Sequence, residues 1–291
     1  MNRQVWKILV CAVRSADRRV ARAGRRPRFS DQQILKMYLW SVVHDRPLCW
    51  ACDRSHYNGS YRPRQMPSIS QFCRRMKTSR IVAMLNAVNE YLTRTETPVY
   101  LSFFDGKAFP ISDYSTDPDA RDGRGVGKFQ RGYKLHAWAT SDGRIPRFSV
   151  RPLNEGEQKV ARELTDRIER NSLVLGDSNF DSRYLYQDVA QRGGQLLTPL
   201  KGRSTQERNL KQMGPGRRNA LAWWTHRPTM CETLLRRRDQ IERIFSALTG
   251  FGGGLTTLPP WVRRIGRVRG WVTAKIAIYH ARLICKQAEA A

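Results

Sequence analysis

Ser172–Phe180 reads S-L-V-L-G-D-S-N-F, and no other stretch restricts the fold as tightly. Leu173, Val174 and Leu175 form an unbroken apolar run, bounded by Asn171 before it and Asp177-Ser178-Asn179 after it. A run of that length and composition suits a strand buried on both faces of a sheet. Asp181 and Ser182 then open a helical stretch, Ser182–Gln191, with Tyr184, Leu185, Tyr186 and Val189 as its apolar positions. Asp177 therefore falls where a central strand leaves the sheet, the edge at which open α/β sheets bind ligands. A carboxylate there is also an ordinary turn or cap residue. The rest of the chain has to decide between the two.

Charge is unevenly spread. The net charge is +27, with residues 1–97 carrying 19 Lys/Arg against 6 acids, residues 98–200 carrying 15 against 14, and residues 201–291 carrying 18 against 5. Two basic ends flanking a near-neutral middle point to a polyanionic partner, and the excess of arginine over lysine favours phosphate. No segment approaches the ~20 apolar residues needed to span a bilayer. The apolar stretch Ile8–Val13 is short and lacks a small-residue cleavage site, so no signal peptide is expected. Six cysteines without regular spacing fit a reducing cytoplasm rather than a disulfide scaffold, and a cytoplasmic, nucleoid-associated protein is expected.

Residues 1–97 read as a small all-α, DNA-binding domain. Ser30 with Gln33 forms a candidate capping box ahead of Ile34, Leu35, Tyr38, Leu39 and Val42 at helical spacing. Ser68 or Ser70 caps a second helix carrying Phe72, Met76 and the basic pair Arg74-Arg75, and Ile81–Leu92 is a third. Short arginine-bearing helices with a Pro/Ser-rich break suit a helix-turn-helix arrangement, with Arg74 and Arg75 as candidate DNA contacts. Cys49-Trp50-Ala51-Cys52 between His44 and His56 invites a zinc reading. The histidine spacing fits no common finger, and packed, reduced cysteines are expected instead.

Residues 98–291 read as an α/β domain. Tyr100–Phe104 is a compact strand ending in Asp105-Gly106, and a polar, glycine-rich connection follows from Ser112 to Gly127. Tyr133–Thr140 and Ile145–Val150 flank the Ser141-Asp142-Gly143 turn as a hairpin. Asn154–Arg170 is an expected amphipathic helix, and Gln195–Leu200 an expected last strand. Strands and helices in this order make a mixed sheet rather than a doubly wound nucleotide fold, since no glycine-rich phosphate loop follows a strand. Residues 201–230 form a basic insertion carrying Trp223-Trp224, two flat side chains suited either to stacking on a flipped base or to packing as a lid. A helix is expected from Glu232 to about Leu248, with Arg238 and Glu242 four apart on one side, and a final helix from Val262 to Cys285.

Three carboxylates stand out: Asp105, Asp177 and Glu242. If the first and fourth strands are neighbours, both aspartates emerge at one edge, and a helix across that edge brings Glu242 to them. Clustered carboxylates suit hard divalent ions such as Mg²⁺ or Mn²⁺. Two such ions ~3.5–4 Å apart serve phosphodiester chemistry by activating the attacking oxygen and stabilising the leaving one.

Four blocks carry a resemblance: F-F-D-G (Phe103–Gly106), K-L-H-A-W-A-T-S-D-G (Lys134–Gly143), L-G-D-S-N-F-D-S (Leu175–Ser182) followed by a helix and L-L-T-P-L, and R-x-x-x-E-R-I-F-S-x-L (Arg238–Leu248). In their order and spacing, over about residues 98–285, the chain resembles the DDE transposases of bacterial insertion sequences. The resemblance implies a ribonuclease-H-like core in which Asp105, Asp177 and Glu242 hold two Mg²⁺ ions for strand cleavage and joining, with Arg238 contacting a DNA phosphate. It implies double-stranded DNA partners, namely terminal inverted repeats and target, and a homodimer in the DNA complex. Related elements carry a tyrosine and a lysine where this chain has Leu235 and Thr249. The rival readings are a nuclease without strand transfer and a domesticated DNA-binding protein that has lost the chemistry.

Overall fold

The computed structural model describes residues 2–22, 24, 27–125, 127–201 and 213–290. It falls into two compact units, residues 95–246 and residues 1–94 with 247–291. The expected division near residue 97 lies close to the first boundary. The C-terminal segment, however, groups with the N-terminal helices and not with the sheet.

Residues 95–246 are built on a mixed six-stranded sheet among the described residues, with strands β1 (Leu101–Pro110), β2 (Arg121–Arg124), β3 (Phe129–Thr140), β4 (Arg147–Pro152), β5 (Leu173–Leu175) and β6 (Gln195–Leu197). The order is β2-β3-β1-β5-β6, with β4 also paired to β3. The antiparallel half follows from tight turn chemistry, as expected, with Thr140 and Arg144 closing the β3–β4 turn around the Asp142 side chain. The parallel half, β1-β5-β6, is the buried part, and its short apolar runs need helices on the faces. Helices α5 (Glu157–Glu163) and α6 (Arg183–Gln191) supply one layer, and Phe104, Trp138, Leu164, Val174, Leu185 and Tyr186 share its core. This is the helix-flanked mixed sheet that the ribonuclease-H-like resemblance implies.

Several elements depart from expectation. β1 runs on past Asp105 to Pro110, because β3 continues to pair with it as far as Gly132. β2 emerges inside the glycine-rich connection, where Arg121-Asp122-Gly123-Arg124 has little strand character of its own and is recruited by β3. The helix expected over Asn154–Arg170 is shorter, since α5 stops at Glu163 and a single 3₁₀ turn covers Thr165–Arg167. Part of the basic insertion is helical as α7 (Pro215–His226). The helix expected from Glu232 to Leu248 is two, α8 (Pro228–Arg236) and α9 (Asp239–Thr249). The Arg237, Arg238, Gln240 and Ile241 amides each bond back three residues, tightening the backbone between them.

The helical unit comprises α1 (Arg3–Arg19), α2 (Asp31–Val43), α3 (Ile69–Met76), α4 (Ser79–Leu92) and α10 (Ile265–Ala290). Ser30 caps α2 through the Gln33 amide, but the Gln33 side chain turns away to Gln65 O, so the reciprocal half of that box is missing. Ser68 and Gln71 form the complete box on α3. Asp31 is buried and held by Arg75 and Arg80, with Arg22 near by, the kind of pairing without which a buried carboxylate is costly. α10 is buried almost all round from Trp271 to Ala281, and a helix apolar on every side needs neighbours on every side. α1, α2 and α4 provide them. Inside α10, Lys275 is only 1% exposed, and its ammonium donates to Val42 O, Gly253 O and Asp45. No described helix is long and apolar enough to cross a membrane.

Candidate active site

The β1–β5 register pairs Phe103 with Leu175. Two residues beyond that pair stand Asp105, still in β1, and Asp177, just past the end of β5, at the rung the register would reach if β5 continued. Adjacent strands lie ~4.8 Å apart. At this rung β5 has already ended, while β1 continues against β3, so the edge is open on the side of Asp177. The Asp177 carboxylate accepts the Asn179 amide at 2.6 Å and caps the Ser178–Phe180 turn. The turn or cap reading of Asp177 thus holds: Oδ1 takes the Asn179 amide, and Oδ2 lies 3.4 Å from the Asn179 side-chain amide, a long contact that orients the carboxylate.

The glycines of both motifs have steric causes. A Cβ at Gly176 would meet the Phe180 Cβ at 2.9 Å, because Phe180 folds back into the core beside Phe104. A Cβ at Gly106 would meet Glu157 Oε1 at 2.9 Å and Lys134 Cδ at 3.2 Å. Glu157 opens α5 and pairs with Lys134 at 3.0 Å, both largely buried. Glu157 is the site neighbour that sequence reasoning missed. Its only trace there is an acid in the first turn of the expected helix.

Burial raises the Asp105 carboxyl from 3.8 to about 6. The Gly106 amide, donating to Oδ1 at 2.7 Å, and the Arg238 guanidinium pull the other way, while the charges of Asp177 and Glu157 push it further up. Arg238 sits in the tight turn between α8 and α9, with its guanidinium 3.8 Å from Glu242 Oε1. The guanidinium therefore bridges, electrostatically, the buried aspartate and the helix glutamate. Glu242 itself is 68% exposed.

The donor chemistry at Asp105 and Asp177 suits a hard divalent cation, since two neighbouring carboxylates, one of them desolvated, lose their mutual repulsion when an ion lies between them. Among the described residues, no three His, Cys, Asp or Glu side chains gather closely enough to hold an ion. Glu242 is thus near Arg238 but is not joined to the aspartates.

A family model described as Transposase DDE domain matches residues 99–265, more than half of the chain. The chain belongs to the DDE transposase family. All six strands and the helices α5 to α9 lie in the matched span, and the family is in general dependent on divalent metal ions. Among solved structures, this transposase is similar to a piggyBac transposase synaptic complex with hairpin DNA, at 10% identity and a TM-score of 0.49, with 97% of this chain and 74% of that chain covered. No curated protein gives a significant match.

The remaining expected site residues of the transposase divide. Trp224 lies on α7 and donates its indole N–H to Thr198 O at 3.0 Å, which ties it to the end of β6, while Trp223 is half-buried. Arg74 is exposed on α3, but the Arg75 guanidinium is committed to Asp31 and Phe29 O. His136 pairs across from Gly106, and burial, helped by Lys134 and Arg151, drops it to about 4, so it is neutral at physiological pH. In the cysteine region, Trp50 stacks on His56 at 4.4 Å, and the His56 Nδ1 is taken up by Trp50 O at 2.8 Å. The histidine is packed there as an aromatic.

Proposed function

We propose that this transposase binds the ends of a mobile element and cuts and rejoins DNA strands at a centre formed by Asp105, Asp177 and Glu242. The observation that supports the reading is the Asp105 carboxyl, two residues past the Phe103–Leu175 pair, raised by burial and by the Asp177 charge to about 6. Such a pair is poorly stable empty and well suited to a cation-assisted phosphodiester reaction. Mg²⁺ or Mn²⁺ bound there, as two ions, would supply a polarised phosphate and an activated water or 3′-hydroxyl.

The chain's own residues divide the remaining work. Asp177, locked by the Asn179 amide, presents its carboxylate in a fixed orientation. Arg238 offers a partner for the DNA phosphate, and a doubly oxygenated phosphate is a better acceptor for its fork than Glu242 at 3.8 Å. In this reading Glu242 is released from Arg238 when DNA arrives and completes the acidic set. The basic helices, with Arg74 outward, hold the element ends, and Trp223 and Trp224 line the approach to β6. Two copies act together on a pair of ends.

The test is single-turnover cleavage of labelled duplex carrying the inverted repeats that flank the coding sequence, in Mg²⁺, with the full chain. Asp105→Asn and Asp177→Asn should each abolish cutting while end binding persists. Undiminished cutting by either variant, or full activity in EDTA, would overturn the assignment. Cutting without joining to target DNA would leave a nuclease.

A further inference from the structure

We propose that the ribbon formed by β2 and the start of β3 is a DNA-contacting arm that grips the duplex being cut, about eight base pairs from the reacting phosphate. The proposal rests on the transposase reading above and extends it to residues outside the acidic centre. β1 ends at the Pro110–Gly132 pair and the Ile111 amide still donates to Arg131 O, but β3 reaches back to Phe129, paired with β2 through Arg121–Gly132, Asp122–Arg131, Gly123–Gln130 and Arg124–Phe129, the last two pairs lying beyond that bond. The ribbon therefore projects past the sheet as two strands, a width that the major groove admits.

Its two faces differ. In an antiparallel pair, opposite residues share a face, so Gly123 and Gln130 lie on one side and Arg124, Phe129, Asp122 and Arg131 on the other. The Gly123 side is pressed against backbone, since a Cβ there would meet Leu153 O at 2.6 Å. The opposite side faces out. On it Phe129 is 75% exposed, directly across from exposed Arg124, with exposed Lys128 adjoining. The ribbon's acid, Asp122, is already engaged by Arg131 at 3.4 Å. An outward aromatic among cations, with the local carboxylate drawn toward Arg131, offers little to an apolar protein surface and much to a phosphate backbone with stackable bases.

The sheet itself serves as a ruler. Asp105 pairs with Ala137, and Phe129 lies eight residues back along β3. At about 3.4 Å per residue that is roughly 27 Å, and at 3.4 Å per base pair it corresponds to roughly eight steps of duplex.

The experiment uses the full chain and the same end-bearing duplex. Arg124→Ala with Lys128→Ala should weaken binding about tenfold at moderate salt and flatten the plot of log affinity against log salt by about 1.8, the share of two phosphate contacts. A photo-reactive benzoylphenylalanine in place of Phe129 should cross-link within about eight base pairs of the cut site. These side chains are exposed, and an unchanged melting temperature confirms that each variant is folded. An unchanged salt slope, cross-links confined to target DNA, or a shift in the sedimentation of the protein alone would each overturn the arm. If the parent chain neither binds nor cuts the end duplex, the transposase reading fails instead.

Discussion

Asp105 and Asp177 each lie two residues beyond the paired Phe103 and Leu175, and from just past the end of the parallel strand the Asp177 charge raises the Asp105 carboxyl. Among the described residues neither forms an ion pair, and Asp105 is the more desolvated of the two. Arg238 acts on Asp105 from the turn before α9, and burial still wins, holding the carboxyl near 6.

That imbalance predicts a stability cost. The folded pKa of Asp105 is above its ordinary 3.8, so the folded protein binds the proton more tightly than the unfolded chain does. The penalty is absent below pH 3.8, grows as pH rises toward about 6, and is fully present above it. It amounts to at most about 3 kcal/mol. Asp105→Asn should therefore raise the denaturation midpoint at pH 7.5 without metal, and raise it less at pH 5. Added Mg²⁺ should stabilise the parent but not the variant. Denaturant titrations at both pH values check this, and a variant less stable than the parent at pH 7.5 would contradict it.

Arg238 lowers the proton affinity of Asp105, so its removal should do the reverse. In Arg238→Ala the acid limb of the cleavage pH profile should move to higher pH, whereas Arg238→Lys should move it less. Rates measured from pH 5.5 to 9 decide the matter. An acid limb unmoved in Arg238→Ala would mean that the guanidinium and the aspartate are not coupled.

Glu242 and Asp239 both lie in the first turn of α9, and only Glu242 is reached by Arg238 at 3.8 Å. Glu242→Gln should cut single-turnover cleavage roughly a thousandfold, about 4 kcal/mol of transition-state stabilisation. Its exposure means the fold should be unaffected. Asp239→Asn should cost far less. Robust cutting by Glu242→Gln beside a dead Asp239→Asn would exchange their roles.

In the helical unit, Lys275 is the anchor to remove. Lys275→Met keeps the stem but leaves Val42 O and Gly253 O without their shared donor. The loss should be about 3 kcal/mol, typical of breaking a buried charged pair. A change under about 0.5 kcal/mol in urea titration, the range of ordinary surface substitutions, would show that the three acceptors find water instead.

The place of Asp177 was legible because a short apolar run bounded by polar residues marks a buried strand and its end, whereas at Asp105 the same pattern marked the end of the apolar run but not of the strand, which β3 carries on to Pro110. The hairpin was legible from its turn. β2 was not, because its pairing is imposed by β3 on residues that lack strand preference. The break at Arg237 and Arg238 was hidden by three arginines that suit a helix well; only the backbone bonds reveal the tighter turn. Glu157 was invisible as a neighbour of Asp105, since no spacing connects residue 157 to residue 106. The final helix was legible as a helix, but not that α1, α2 and α4 would surround it.

That last point bears on how the protein is made. The helical unit is discontinuous in the chain, with residues 95–246 intervening between its two parts. α1, α2 and α4 leave the ribosome long before α10 exists, and at roughly 5–20 residues per second the delay is on the order of ten to forty seconds. Throughout it, the surfaces of Leu9, Val13, Leu35 and Val88 that face the bundle interior lack their last partner. The sheet unit completes itself first, and the bundle closes only once α10 has been made. A nascent chain stalled before residue 265 would therefore own a finished acidic centre and no finished bundle, and would be a client for chaperones rather than a competitor for DNA.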